Sequence, residues 1–223
     1  MAEPWRPPTY SSPRASPPTR APRRKTRPQA EIGPNSTLAF IDTETTGISR
    51  DDRIVTLAIA TMQASALREG KIRFRTKHLV FNPLRACHPE AAAIHGWSDR
   101  TLARQPRFAD HATEIAGLLA SADIWLMHNA AFDCRLLEQD FDALGRSLPT
   151  RPTFCTLRAA RQKWPQQSNT LNHCLERIGL ARAGKTHGAL EDALLTAALF
   201  SFLHTGKRWK RLPEAHAPTN LVH

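Results

Sequence analysis

Asp42-Thr43-Glu44 sets two carboxylates two residues apart at the end of a short apolar run, Leu38-Ala39-Phe40-Ile41. On a strand, residues i and i+2 point to one face. The two acids therefore stand side by side, with no basic partner nearby in sequence. A divalent cation is the usual physical reason to keep such a pair. All-oxygen ligands favour Mg²⁺ or Mn²⁺ over Zn²⁺; a solvated strand end is the plain alternative. Asp133 closes His128-Asn129-Ala130-Ala131-Phe132-Asp133, just after a second apolar run. An acid at a helix start is stabilised by the helix dipole. His128 and Asn129, however, put polar groups at a strand's C-terminal end, where ligands of α/β layers collect. His187-Gly188-Ala189-Leu190-Glu191-Asp192 opens the last helical stretch. An imidazole titrates near neutrality and can take a proton from water. Asp192, with Glu191 as its competitor, would be a fourth carboxylate. Four carboxylates and one histidine suit a phosphodiester hydrolase with two metal ions, one activating water and one stabilising the leaving oxygen.

These residues need elements to bring them together. The run at 38–41 reads as a buried strand ended by Gly47. Residues 53–62, rich in β-branched side chains, read as a second strand. Residues 72–81 alternate in part and read as a third. Short connections between the three predict an antiparallel meander. The period then changes. Phe108, Ala112, Ile115 and Leu119 fall on one helical face. A short strand at 123–127 follows, then helices over 131–144, 156–163, 171–178 and 189–203. Strands followed by strand–helix alternation predict a mixed α/β layer fold.

Composition bounds the rest. A chain of 223 residues with 41% hydrophobic residues can build one real core. No apolar run approaches the ~18 residues of a membrane span, which argues against a membrane protein. Four cysteines without C-x-x-C spacing read as reduced thiols in a cytoplasmic protein. The net charge is +11, but residues 1–30 hold seven bases against one acid, and residues 207–223 hold four against one. Eight of the first 30 residues are proline. That segment reads as a disordered basic tail over 1–36, either a phosphate-seeking arm or a solubilising leader. The ordered domain spans 37–206, and 207–223 reads as a second basic tail. Trp209, set among its bases, is a candidate nucleic-acid contact or an aromatic packing back on the last helix.

Taken together, the motifs resemble those of the DEDD-type 3′–5′ exonucleases, in the subclass with a catalytic histidine that includes the proofreading epsilon subunits of DNA polymerase III. Leu38 to Gly47 is similar to the first family motif, His128 to Asp133 to the second, and Thr186 to Ala193 to the third. Asn82-Pro83, His88-Pro89-Glu90-Ala91 and Ile94-His95-Gly96 resemble the connecting segment. The resemblance covers residues 38–206. It implies an RNase H-like fold, a mixed central sheet flanked by helices. It implies two divalent cations, Mg²⁺ or Mn²⁺, held by Asp42, Glu44, Asp133 and Asp192, with His187 as general base. It places Thr45, Thr46 and His95 against the 3′-terminal nucleotide. Asn129, with His128, supports the site and is counted with the substrate-binding set. Two positions depart from the family pattern: Thr56 stands where Glu is frequent, and Cys155 where Asp is usual.

The implied activity is metal-dependent 3′–5′ hydrolysis of single-stranded DNA ends to nucleoside monophosphates, in proofreading or repair. A DNA polymerase subunit is the implied protein partner, although no clamp-docking or polymerase-binding tail is recognisable. Alternatives are a 3′–5′ exoribonuclease of the same family and a non-catalytic module that holds nucleic-acid ends. Nothing in the sequence visibly reads a 2′-OH.

Overall fold

Alternation along a doubly covered strand explains the centre of the molecule. β1 (Thr37–Thr45) lies in the middle of a five-stranded sheet ordered β3-β2-β1-β4-β5. β2 (Ile54–Gln63) pairs antiparallel with β1, and β3 (Arg75–Val80) pairs antiparallel with β2. β4 (Ile124–Met127) and β5 (Thr153–Cys155) continue the sheet in parallel on the other side. The computed structural model describes residues 31–69, 72–182, 184, 186–210 and 212–222. The proline-rich arm over 1–30 therefore lies outside the described residues.

Ala39 and Ile41 face one layer, built with Trp125 and Met127 against α4 (Phe108–Ser121) and α5 (Ala130–Asp142). Leu38 and Phe40 face the other, built with Ala58, Ala60 and Leu126 against α8 (Ala189–Thr205). The stripe of Phe108, Ala112, Ile115 and Leu119 is the buried side of α4, as its spacing predicts. α8 is buried on more than one side. Leu194 and Phe200 meet the sheet, while Leu195 and Leu199 meet α6 (Thr156–Lys163) and α7 (Leu171–Arg177). Among the described residues no helix is long and apolar enough to cross a membrane.

Several short elements carry no periodic signal in the sequence: β5, α1 (Ser65–Glu69), α2 (Pro89–His95) and α3 (Asp99–Leu102). The third strand is also shorter than its apolar pattern, starting at Arg75 rather than residue 72.

The stretch after α8 is packed onto the domain. Asn220 pairs with both backbone groups of Val80 at 2.8 Å, and Thr219 donates its N–H to His78 at 2.7 Å. Val222 and the Gln105 side chain exchange two further bonds. The free edge of β3 is thereby covered, which removes a template for pairing with another chain. Trp209 packs on Phe74, ring centroids 6.1 Å apart, rather than standing free.

Candidate active site

The α8-facing alternation of β1 runs on past its apolar part. After Leu38 and Phe40 the same face presents Asp42 and then Glu44. Thr43 points to the opposite layer, where α5 begins, and its hydroxyl donates to Asp133 Oδ1 at 2.8 Å. Asp133 is thus fixed against β1 from the first turn of α5. The register of β1 on β2 shifts between Glu44 and Thr45, so the chain bends just beyond the second carboxylate.

Asp192 enters from the first turn of α8 and is buried. His187 rides on the loop before it. Its backbone N–H donates to Ile94 O at 2.8 Å, which anchors it to the end of α2. Its Nδ1 lies 3.4 Å from Asp192 Oδ2. Glu44, His187 and Asp192 each offer a ligand atom within 4.8 Å of the others. Asp42 and Asp133 join this group electrostatically. Burial, then Asp192, Asp133 and Glu44, push the Asp42 carboxyl well above its usual range. Burial and Asp192 push Glu44 up to about 7. Burial likewise pushes Asp133 up to about 7, although the Thr43 hydroxyl pulls the other way. The hydrogen bond to Asp192 raises the His187 pKa.

Burial and mutual repulsion keep these acids protonated near neutrality, and a bound counter-charge would favour their ionised forms. The donors are carboxylate oxygens with one imidazole beside them. Both properties fit hard divalent cations such as Mg²⁺ or Mn²⁺.

A cavity of about 650 Å³ opens beside Glu44, walled in part by Thr45, Thr46, Ile94, His95 and Phe132. The hydroxyls of both threonines are turned into the loop. Thr45 Oγ1 donates to Gly47 O at 2.6 Å, and Thr46 Oγ1 donates to Asp52 Oδ1 at 2.6 Å. His95 is buried, and its Nδ1 accepts from Trp97 N–H at 3.0 Å. Burial lowers its pKa, so the ring is neutral at pH 7. Asn129 is exposed at the start of α5 with φ +79°, and it is not part of this cavity's wall. His128 is a buttress, bonded to Thr156 Oγ1 and Asn169 O at 3.0 Å each. The two departures also find places. Thr56 lies opposite Glu44, its hydroxyl buried without a hydrogen-bond partner among the described residues. Cys155 ends β5 beside Met127.

Three residues at the site were not singled out from sequence. Thr43 had a signal: a hydroxyl between two candidate ligands on a strand must face the other way. Asp52 ties the loop after β1 by accepting from Thr46 Oγ1 and from Ser49 N–H. Arg182 reaches into the acidic group and bonds Asp192. Nothing local in sequence marks it.

With this geometry in place, comparison with known proteins is direct. The RNase T family model, described as Exonuclease, matches residues 39–200. DNA polymerase III subunit epsilon of Escherichia coli K12 is 31% identical over 173 residues, 75% of this chain and 71% of that protein. The subunit from Haemophilus influenzae is 30% identical over 182 residues, 79% of this chain and 70% of that protein. Exonuclease X, solved in complex with 5′ overhanging duplex DNA, superposes with TM-score 0.58 at 26% identity, covering 78% of this chain and 94% of that one. The zinc-bound E. coli ExoI–ssDNA complex gives TM-score 0.66 at 20% identity over 78% of this chain and 41% of that one, a likeness of fold. Since the matched residues run from β1 into α8, the chain belongs to the RNase T exonuclease family of DEDD type and is epsilon-like within it.

Proposed function

We propose that the protein is a metal-dependent 3′–5′ exonuclease that removes nucleoside 5′-monophosphates from single-stranded DNA ends, in proofreading beside a DNA polymerase or in repair. The observation that carries this reading is the convergence of Glu44, His187 and Asp192 within 4.8 Å, with Asp42 and Asp133 coupled to them. The likeness to the epsilon subunits and to a DNA-bound exonuclease supports DNA as substrate.

Asp42, Glu44, Asp133 and Asp192 would hold two divalent cations. When bound, these supply positive charge to the phosphate and acidify water. The residues of the chain do the rest. The cavity beside Glu44 receives the terminal nucleotide, with Thr45, Thr46 and His95 in its wall and Asn129 outside it near the helix start. Asp192 holds His187 by Nδ1, which leaves Nε2 to accept a proton from the attacking water. The water oxygen forms a bond to the terminal phosphorus. The bond from phosphorus to the 3′ oxygen of the preceding nucleotide breaks in line. Thr43 keeps Asp133 in register throughout.

Asp42→Ala and Asp192→Ala are each expected to reduce turnover below detection while oligonucleotide binding persists. Gel-based rate assays and fluorescence anisotropy separate the two quantities. Retained turnover in metal-replete buffer sinks the assignment. Binding by the unmodified chain with no turnover would favour the end-binding module, and faster cleavage of RNA the exoribonuclease.

A further inference from the structure

The acidic cluster already contains a cation of its own. Arg182 stands on the loop between α7 and α8, five residues before His187. Its side chain is buried, 6% exposed, which is rare for a charged group unless it is paired. Nη1 donates to Asp192 Oδ1 and lies 3.6 Å from Glu191 Oε2. Nη2 makes a longer bond of 3.3 Å to Asn172 Oδ1, and Nε is buried without a hydrogen-bond partner among the described residues. Its charge reaches further than its contacts, favouring the ionised forms of Asp42 and Glu44.

Asp192 therefore has both oxygens engaged, Oδ1 by Arg182 and Oδ2 by His187. A divalent ion on Asp192 would meet the guanidinium at the same oxygen. Two positive charges a few ångströms apart in a buried site repel far more strongly than at a surface. Off Asp192, Arg182 keeps the looser pairing with Glu191 at 3.6 Å and the long bond to Asn172.

From this juxtaposition we infer that Arg182 is an internal counter-cation, seated on Asp192 when no divalent ion is there and displaced from it when one binds. The inference rests on the reading of the carboxylates as a cation site. Arg182 then leaves while His187 stays, because the His187 backbone is fixed separately to Ile94 O. Metal loading and release of the Arg182 side chain become one event, and the metal-free protein keeps a counter-charge beside its acids.

Calorimetric titration of the full chain with Mn²⁺ alone tests this without any turnover. Arg182→Gln keeps the size and removes the charge. It is expected to bind Mn²⁺ about tenfold more tightly than the unmodified chain, and to melt at a lower temperature without metal. Arg182→Lys keeps the charge and is expected to stay near the unmodified affinity. Equal or weaker Mn²⁺ binding by a folded Arg182→Gln overturns the inference while leaving the cation site intact. No Mn²⁺ binding by either chain overturns the cation-site reading and the inference with it. A second readout needs no variant. Mn²⁺ is expected to speed tryptic cleavage after Arg182 several-fold while slowing cleavage elsewhere; slower or unchanged cleavage at that bond contradicts displacement.

Discussion

At the scale of single residues, the candidate site depends on groups that hold its carboxylates in place. The Thr43 hydroxyl is the clearest case, holding Asp133 at 2.8 Å across two elements. Thr43→Val keeps the shape and deletes the bond. Partners that orient metal ligands typically contribute 10–100-fold, so a loss of about that size is expected in Mn²⁺ affinity and in rate. Unchanged values for both would contradict the role. The shifted acids give a second prediction. Glu44 and Asp133 titrate near 7 in the folded protein, far above ordinary carboxylates. Between about pH 4 and pH 7 the folded metal-free chain therefore holds protons that the unfolded chain has released, and stability falls as pH rises. His187, with its pKa raised, acts in the same sense, its contribution being lost as pH rises through the folded value. Cations need the deprotonated acids. The rise in Tm caused by Mn²⁺ should thus be larger at pH 8 than at pH 5.5, as scanning calorimetry would read; equal rises would count against the assigned shifts. The four carboxylates and His187 were legible as candidates in sequence because their motifs are contiguous. Arg182 was not, because a basic residue on an irregular loop announces no direction.

At the scale of elements, the site exists because strand alternation continues past the core. Leu38 and Phe40 fix the face, and Asp42 and Glu44 inherit it. The loop after β1 is held in turn by Asp52, which accepts from Thr46 Oγ1 and Ser49 N–H at 2.6 Å each and pairs with Arg85. Gly47 lies against that carboxylate. A Cβ there would come within 2.6 Å of Asp52 Oδ2, and the acid is pinned by its partners. Gly47→Ala should therefore cost about 1–3 kcal/mol in urea unfolding, the usual range for overpacking. A variant as stable as the parent would mean that the loop is looser than described. The long elements were readable from periodicity, down to the buried face of α4. The short ones were not: α2, seven residues long, and β5, three, span too little for a period to emerge. Yet α2 ends at Ile94 and His95, which anchor His187 and wall the cavity.

At the scale of the whole molecule, the sheet brings three distant segments to one end of its central strands. β1 and β4 run parallel, so the residues after both strands, and the start of α5, emerge together. α8 packs across β1 and delivers Asp192 from the far end of the chain. The last residues fold back on β3, a placement the sequence disguised. Much of their hold comes from Asn220, Thr219 and the bonds between the Val222 backbone and the Gln105 side chain, which leave no apolar period, and the bases at 207–211 drew the reading toward a tail. The central proposal is that this end of the sheet hydrolyses 3′ ends with bound cations. A time course on 5′-labelled single-stranded DNA in Mg²⁺, Mn²⁺ or EDTA, beside RNA of the same sequence, tests it most directly. The expected result is a cation-dependent ladder shortening from the 3′ end, faster on DNA and absent in EDTA. DNA left intact by folded protein with Mn²⁺ bound would contradict it.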